Sequence, residues 1–167
     1  MSKEIINRVA TSGLITINLE DYYTPGKRMQ FDLKDHLFQG LILKEKDFRD
    51  FVKNEEWMKY QDALVAITCS ADAIVPTWAF MLVAAAMQPF AKKIIYGGEE
   101  VLETCLYMEK LADINYEQYR DARIVIKGCS NIPVPNAAFV ELMSRLRPFA
   151  KSIMYGEPCS TVPLYKR

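Results

Sequence analysis

One stretch of this chain is written twice. Tyr60–Gly97 reads YQDALVAITCSADAIVPTWAFMLVAAAMQPFAKKIIYG, and Tyr119–Gly156 reads YRDARIVIKGCSNIPVPNAAFVELMSRLRPFAKSIMYG. With compensating one-residue gaps around the cysteine, roughly 17 of some 38 positions are identical. Chance would give two or three, so this is an internal duplication. Each copy has the same grammar. Ala63–Thr68 and Ala122–Lys127 hold short Val- and Ile-rich runs that suit buried strands. A cysteine loop follows. Pro76 and Pro135 stand where a helix would begin, a position that tolerates proline. The helical stretches run to Pro89 and Pro148, and a second strand, KIIYG or SIMYG, closes each copy at Gly97 or Gly156. A β-loop-α-β unit of this kind makes a right-handed parallel crossover.

The rest of the chain must fit around those two units. Glu99–Leu111 reads as a helix between them, with Leu102, Cys105, Leu106 and Met108 near helical spacing. Residues 1–59 are not a repeat copy. Within them, LITINL (Leu14–Leu19) and MQFDL (Met29–Leu33) alternate like strands, joined through a turn at Pro25-Gly26. EKDFRDFV (Glu45–Val52) reads as an amphipathic helix with Phe48, Phe51 and Val52 facing inward, its charges forming a solvated face. The last residues, VPLYKR, are assigned no element. No linker or low-complexity stretch interrupts the sequence. The expectation is one three-layer α/β domain over residues 1–167. Its mostly parallel sheet would come from the duplicated units at 60–97 and 119–156, with an N-terminal strand pair and helix.

The two repeat helices differ. In the second, Phe139, Leu142, Met143 and Leu146 form one apolar stripe, with Glu141, Ser144 and Arg145 outside it. In the first, Phe80, Val83, Ala84 and Met87 form the matching stripe, but Leu82, Ala85 and Ala86 make the other face apolar as well. A helix apolar all round is covered on both sides. The Trp78–Met87 helix is therefore expected to pack on the sheet and on something else, either the N-terminal segment or another subunit in a homodimer.

The second motif is a loop phrase that occurs three times: CSADAIVP from Cys69, CSNIPVP from Cys129 and CSTVP from Cys159. In an open parallel sheet, working groups gather at the carboxyl ends of strands, above all where strand order reverses. A 2-1-3-4 order would make the strands before Cys69 and Cys129 neighbours, with Cys159 on the same edge. A cysteine near a helix N-terminus favours its thiolate. The serines that follow, Ser70, Ser130 and Ser160, would donate to sulfur or cap the helix. Thiolates bind zinc or iron–sulfur clusters and attack disulfides. His36, the lone histidine, or Asp72 in the first loop would complete a Cys69, Cys129, Cys159 metal shell. No local C-x-x-C pair accompanies them. The plainer alternatives are that one ancestral cysteine was copied and packs as a small hydrophobe, that the cysteines only line a pocket, and that Asp72 is a turn residue. Cys105, on the apolar stripe of its helix, reads as packing.

Composition narrows the function classes. Acidic and basic residues balance at 21 each, which gives no electrostatic footprint for nucleic acid or an anionic membrane. No apolar run has membrane-spanning length, and MSKEIINRVATSG has no signal-peptide core. A cytoplasmic protein with reduced thiols is expected. No phosphate-binding glycine loop, G-x-S-x-G elbow or H-E-x-x-H is present.

The stretches LILKEKDFR, CSADAIVPTWAF and MYGEPCSTVPLYKR resemble an uncharacterised bacterial domain-of-unknown-function family, over almost the whole chain. The resemblance transfers no catalytic residue. It implies an association with genes of iron–sulfur cluster assembly, and hence iron–sulfur assembly proteins as partners. Two readings follow. In the first, Cys69, Cys129 and Cys159 bind a metal or cluster, or carry sulfur. In the second, the protein is a binding or assembly module with inert cysteines and an apolar-helix interface. An enzyme working at the sheet crevice, with Asp72 or Cys69 as the acting group, is a third class.

Overall fold

The computed structural model describes residues 13–128, 131–157 and 159–167. They form a mixed α/β fold of mostly parallel strands. In chain order the strands are β1 (Leu14–Ile17), β2 (Arg28–Asp32), β3 (Leu64–Thr68), β4 (Lys93–Tyr96), β5 (Arg123–Ile126), β6 (Ser152–Glu157) and β7 (Ser160–Lys166). The helices are α1 (Glu45–Asn54), α2 (Thr77–Met87), α3 (Glu99–Ala112) and α4 (Asn136–Leu146). No helix among the described residues is long and apolar enough to cross a membrane.

The strands make two sheets, β2-β3-β4 and β1-β5-β6-β7. The chain divides in the same way. An inserted unit, Pro25–Cys105, interrupts a split unit made of Met1–Thr24 and Leu106–Arg167. Helix α3 carries the chain from the first to the second. This corrects the 2-1-3-4 strand order. β3 is flanked by β2 and β4, and β5 by β1 and β6. Both central strands therefore have their hydrogen-bonding sides filled and cannot neighbour each other. β1 and β2 form where expected, but each joins a different sheet instead of pairing with the other.

The duplication reaches further than the sequence suggested, and the elements between Leu14 and Tyr60 are part of it. β1 runs parallel to β5 with Leu14 against Arg123, and β2 runs parallel to β3 with Arg28 against Leu64. Each outer strand leads into a 3₁₀ turn, Leu19–Tyr22 or Leu33–His36. Asn18 caps the first turn by accepting from the Glu20 amide, and Asp32 caps the second by accepting from the Lys34 amide. Short polar side chains favour such caps because they satisfy an otherwise orphan donor. Leu19 and Leu33, just past the caps, are both fully buried. A second pair of 3₁₀ turns, Trp57–Tyr60 and Tyr116–Tyr119, precedes the central strands. Here the Trp57 indole donates to Val52 O and the Tyr116 hydroxyl donates to Leu111 O, both at 2.8 Å. One anchoring bond is thus kept with two different side chains.

Each unit has its own core. In the inserted unit Phe31, Leu33, Phe48, Val65, Ile67, Val83 and Met87 are buried together. In the split unit Ile17, Leu19, Tyr107, Leu111, Ile124, Leu142 and Ile153 do the same. Strand β3 is buried along nearly its whole length, as a strand covered on both faces must be. At the close of each copy the chain turns at Gly97 (φ +132) and Gly156 (φ +124). A Cβ at Gly156 would fall 2.5 Å from Ser160 O, so only glycine allows the chain to leave β6 and return as β7.

That return is the main difference between the units. Residues 160–166 form an antiparallel strand on β6, with Ile153 opposite Tyr165 and Tyr155 opposite Val162. Among the described residues, no strand pairs with the outer side of β4, the matching strand of the inserted unit.

Candidate functional site

The cysteine loops come first. Cys69 follows β3 directly and is half-buried, packed against the core of the inserted unit. Its Sγ lies 3.9 Å from Ala71 O. Loop 70–76 runs between it and the first turn of α2. Ser70 neither bonds the sulfur nor caps the helix. Its hydroxyl donates to Asp32 Oδ2 at 2.5 Å and its amide to Asp32 Oδ1 at 3.0 Å. Burial alone would push Asp32 up, but these two bonds, the Lys34 amide and the Lys34 charge outweigh it and hold the carboxyl below its ordinary value. Asp32 therefore clamps the cysteine loop to the end of β2, a role that sequence reading missed. Its signal was the Asx position closing a strand.

Cys129 and Ser130 lie outside the described residues. The rest of that loop is clamped differently: the amides of Asn131 and Ile132 both donate to Glu20 Oε1, in the split unit's first 3₁₀ turn. Cys159 is exposed in the turn between β6 and β7, with Ser160 starting β7. Asp72 is exposed, and Cys105 is half-buried on α3. His36 takes a packing place. It stacks on Phe31 at 5.2 Å and on Phe51 at 3.9 Å between centroids, with Phe48 edge-on at 6.1 Å. Burial pulls its pKa below 6.5, against an opposing pull from Asp35 and Glu55. Among the described residues, no three His, Cys, Asp or Glu side chains gather in a way that holds a metal ion.

The second arrangement is the outer face of the inserted unit. Helix α2 contains no charged residue. One side of it is covered by the N-terminal segment, as one of the two expected alternatives has it. Trp78 meets Phe48 edge-on at 6.2 Å, and the Arg49 guanidinium lies over its ring at 5.1 Å. The side toward β4 is open. Tyr96 is 69% exposed, with Phe80 edge-on to it at 5.0 Å; Met81 is 66% exposed, as is its match Val140 at 67%. Between helix and strand lies a cleft of about 540 Å³ lined by Ile67, Val75, Phe80, Met81, Ala84 and Ile94, among others.

The split unit shows what such a cleft looks like when it is covered. Phe139 and Tyr155 repeat the Phe80–Tyr96 contact at 5.9 Å, yet Tyr155 is only 37% exposed and Ile153 is fully buried. Ile94, which matches Ile153, remains half-exposed. β7 accounts for the difference, since Tyr165 pairs across from Ile153 and packs on the core. Helix α4 also carries the Glu141–Arg145 ion pair where α2 has only Leu82 and Ala86.

Mostly parallel sheets with crossover helices, built twice, define an α/β protein in which β6 is paired on its outer side by β7 and, among the described residues, β4 is not. The family described as protein of unknown function (DUF2480) matches residues 3–167, and the chain belongs to it. No curated protein and no solved structure matches.

Proposed function

We propose that this protein is a non-catalytic binding or assembly module whose working surface is the α2–β4 face of the inserted unit. One observation carries the reading: among the described residues, the strand that covers β6 in one copy has no counterpart on β4 in the other. An uncharged helix lies beside that open edge. Exposed apolar patches of this kind, next to a strand edge with free backbone groups, are the usual means of docking a partner. The cysteines are structural in this reading, with Cys69 packed on the core and its neighbour Ser70 tied to Asp32.

The second reading is an accessory protein of iron–sulfur or sulfur metabolism that uses Cys69, Cys129 and Cys159. Its support is the threefold Cys-Ser phrase and the exposure of Cys159.

Protein purified without oxygen separates the two. Metal, acid-labile sulfide and persulfide are measured in the wild type and in a Cys69→Ser/Cys129→Ser/Cys159→Ser variant. The docking reading expects no stoichiometric metal or sulfur in either. It also expects the triple variant, but not Met81→Glu with Tyr96→Glu, to restore growth to cells lacking the gene. Near-stoichiometric metal or sulfur that vanishes in the triple variant, together with lost growth, would establish the thiol reading instead.

A further inference from the structure

We propose that the occupant of the open edge is a second copy of this chain, joined by antiparallel pairing of β4 with β4 across a twofold axis. The inference rests on the docking reading and names its partner. Three observations lead to it.

The first is the template within the chain. β6, the match of β4, is completed by an antiparallel strand, so the geometry of this half-sheet accepts one.

The second is the sequence of the edge, Lys93-Ile94-Ile95-Tyr96. In an antiparallel pair, residues directly opposite each other project to the same face. A twofold pairing therefore matches residues an even number of positions apart. Centred on Ile95, it sets Ile95 against Ile95 and Ile94 against Tyr96 of the second copy, twice over. Aromatic–β-branched pairs of that kind are favourable cross-strand neighbours. Tyr96 and Ile94 lie on the α2 face, as shown by the Phe80 contact and by the packing of Ile94 on the inserted unit's core. The same operation brings the two α2 helices side by side on one face of the joined sheet. Met81 and Ala85, both exposed, lie on that shared face.

The third is charge. Helix α2 has none, and β4 has only Lys93. In this register Lys93 faces Gly97 of the second copy, away from its own equivalent. Like charges directly opposite would be unfavourable, and none arise. An isologous contact of this kind closes on itself, which protects an edge that would otherwise recruit strands without limit.

The test is molar mass by light scattering over about a hundredfold range of protein concentration. Twice the 19.2 kDa chain mass is expected for wild type. Ile95→Lys, which sets two lysines face to face, is expected to raise the dimer dissociation constant by about a hundredfold or more. Circular dichroism checks that the variant folds. As an independent readout, Ile95→Cys in the triple-serine background is expected to form a disulfide-linked dimer on mild oxidation, since opposed Cα atoms in such a pair lie about 4.5–5.5 Å apart. Monomeric wild type at every concentration overturns the proposal. So does a dimer that Ile95→Lys leaves intact and Ile95→Cys fails to link. If wild type is monomeric but the Met81→Glu/Tyr96→Glu variant still fails to restore growth, the second copy is the wrong occupant and the docking reading stands. If the β4 dimer forms but breaking it leaves growth unaffected, the pairing stands and the functional reading falls.

Discussion

The inserted and split units carry the same list of elements and end differently. Each has an outer strand, an Asx-capped 3₁₀ turn, a helix, a second 3₁₀ turn, a central strand, a cysteine loop, a helix and an edge strand. The split unit then turns at Gly156 and lays β7 on its edge, and α4 faces outward with Glu141 and Arg145. The inserted unit runs from β4 straight into α3, and α2 has Leu82 and Ala86 at the positions of Glu141 and Arg145. Duplication supplied two matching edge strands, and among the described residues only β6 is covered. The matched positions act as an internal control: Ile153 is sealed, whereas Ile94 is not.

The strongest way to break the comparison is to remove the cover. A chain ending at Glu157 should expose Ile153 and lose the Tyr165 packing, costing roughly 3–5 kcal/mol from burial of two large side chains. Urea unfolding measures this. Unchanged stability would mean that β7 is not a structural cover. Light scattering on the same chain should show association through β6, because the split unit would then resemble its twin.

A smaller effect concerns the two loop clamps. Asp32→Asn gives the inserted unit the capping residue of the split unit, Asn18. It should cost about 1–2 kcal/mol by disturbing the bonds from Ser70. The pH dependence has a definite sign. The folded pKa of Asp32 lies below 3.8, so its contribution is complete above that value and is lost as pH falls through the folded pKa. Wild type should therefore lose more stability than Asp32→Asn when the pH is taken below about 4. Parallel acid titration curves would remove the clamp as a source of stability.

The smallest effect compares His36 with its counterpart Tyr22. The folded pKa of His36 lies below 6.5 because burial disfavours its charged form. Its share of stability is present above pH 6.5 and fades as pH falls through the folded value. Between about pH 7.5 and 5.5 the wild-type Tm should drop more than that of His36→Phe, which keeps the stack on Phe31 and Phe51. Equal drops would show that the ring does not titrate in this window.

Much of the fold was legible because the duplication is legible. The strands of both repeats, helices α2 and α4, and the helix over 45–54 all follow from periodicity and from prolines at the helix starts. The unbalanced apolar faces of the two helices were also readable. The wider extent of the repeat was not. TINLEDYY and QFDLKDHL share few residues, and what they preserve is a cap, a buried leucine and a turn. The cysteine phrase drew attention as a site, but the residues that hold its loops, Asp32 and Glu20, lie far away in sequence. The open edge was illegible because VPLYKR does not announce which strand it will pair with.

The sequence by itself determined most of the strands and the helices, that two segments are copies, and that one copy's helix has no charged side. Those properties are local, set by side-chain periodicity and backbone preference within a few residues. Only the tertiary structure decided that β1 pairs with β5 and β2 with β3, that the central strands sit in separate sheets, and that the C-terminal strand pairs with β6 while β4, among the described residues, keeps its outer side unpaired. Parallel pairing joins segments distant along the chain, and its register is chosen by which faces can be buried together.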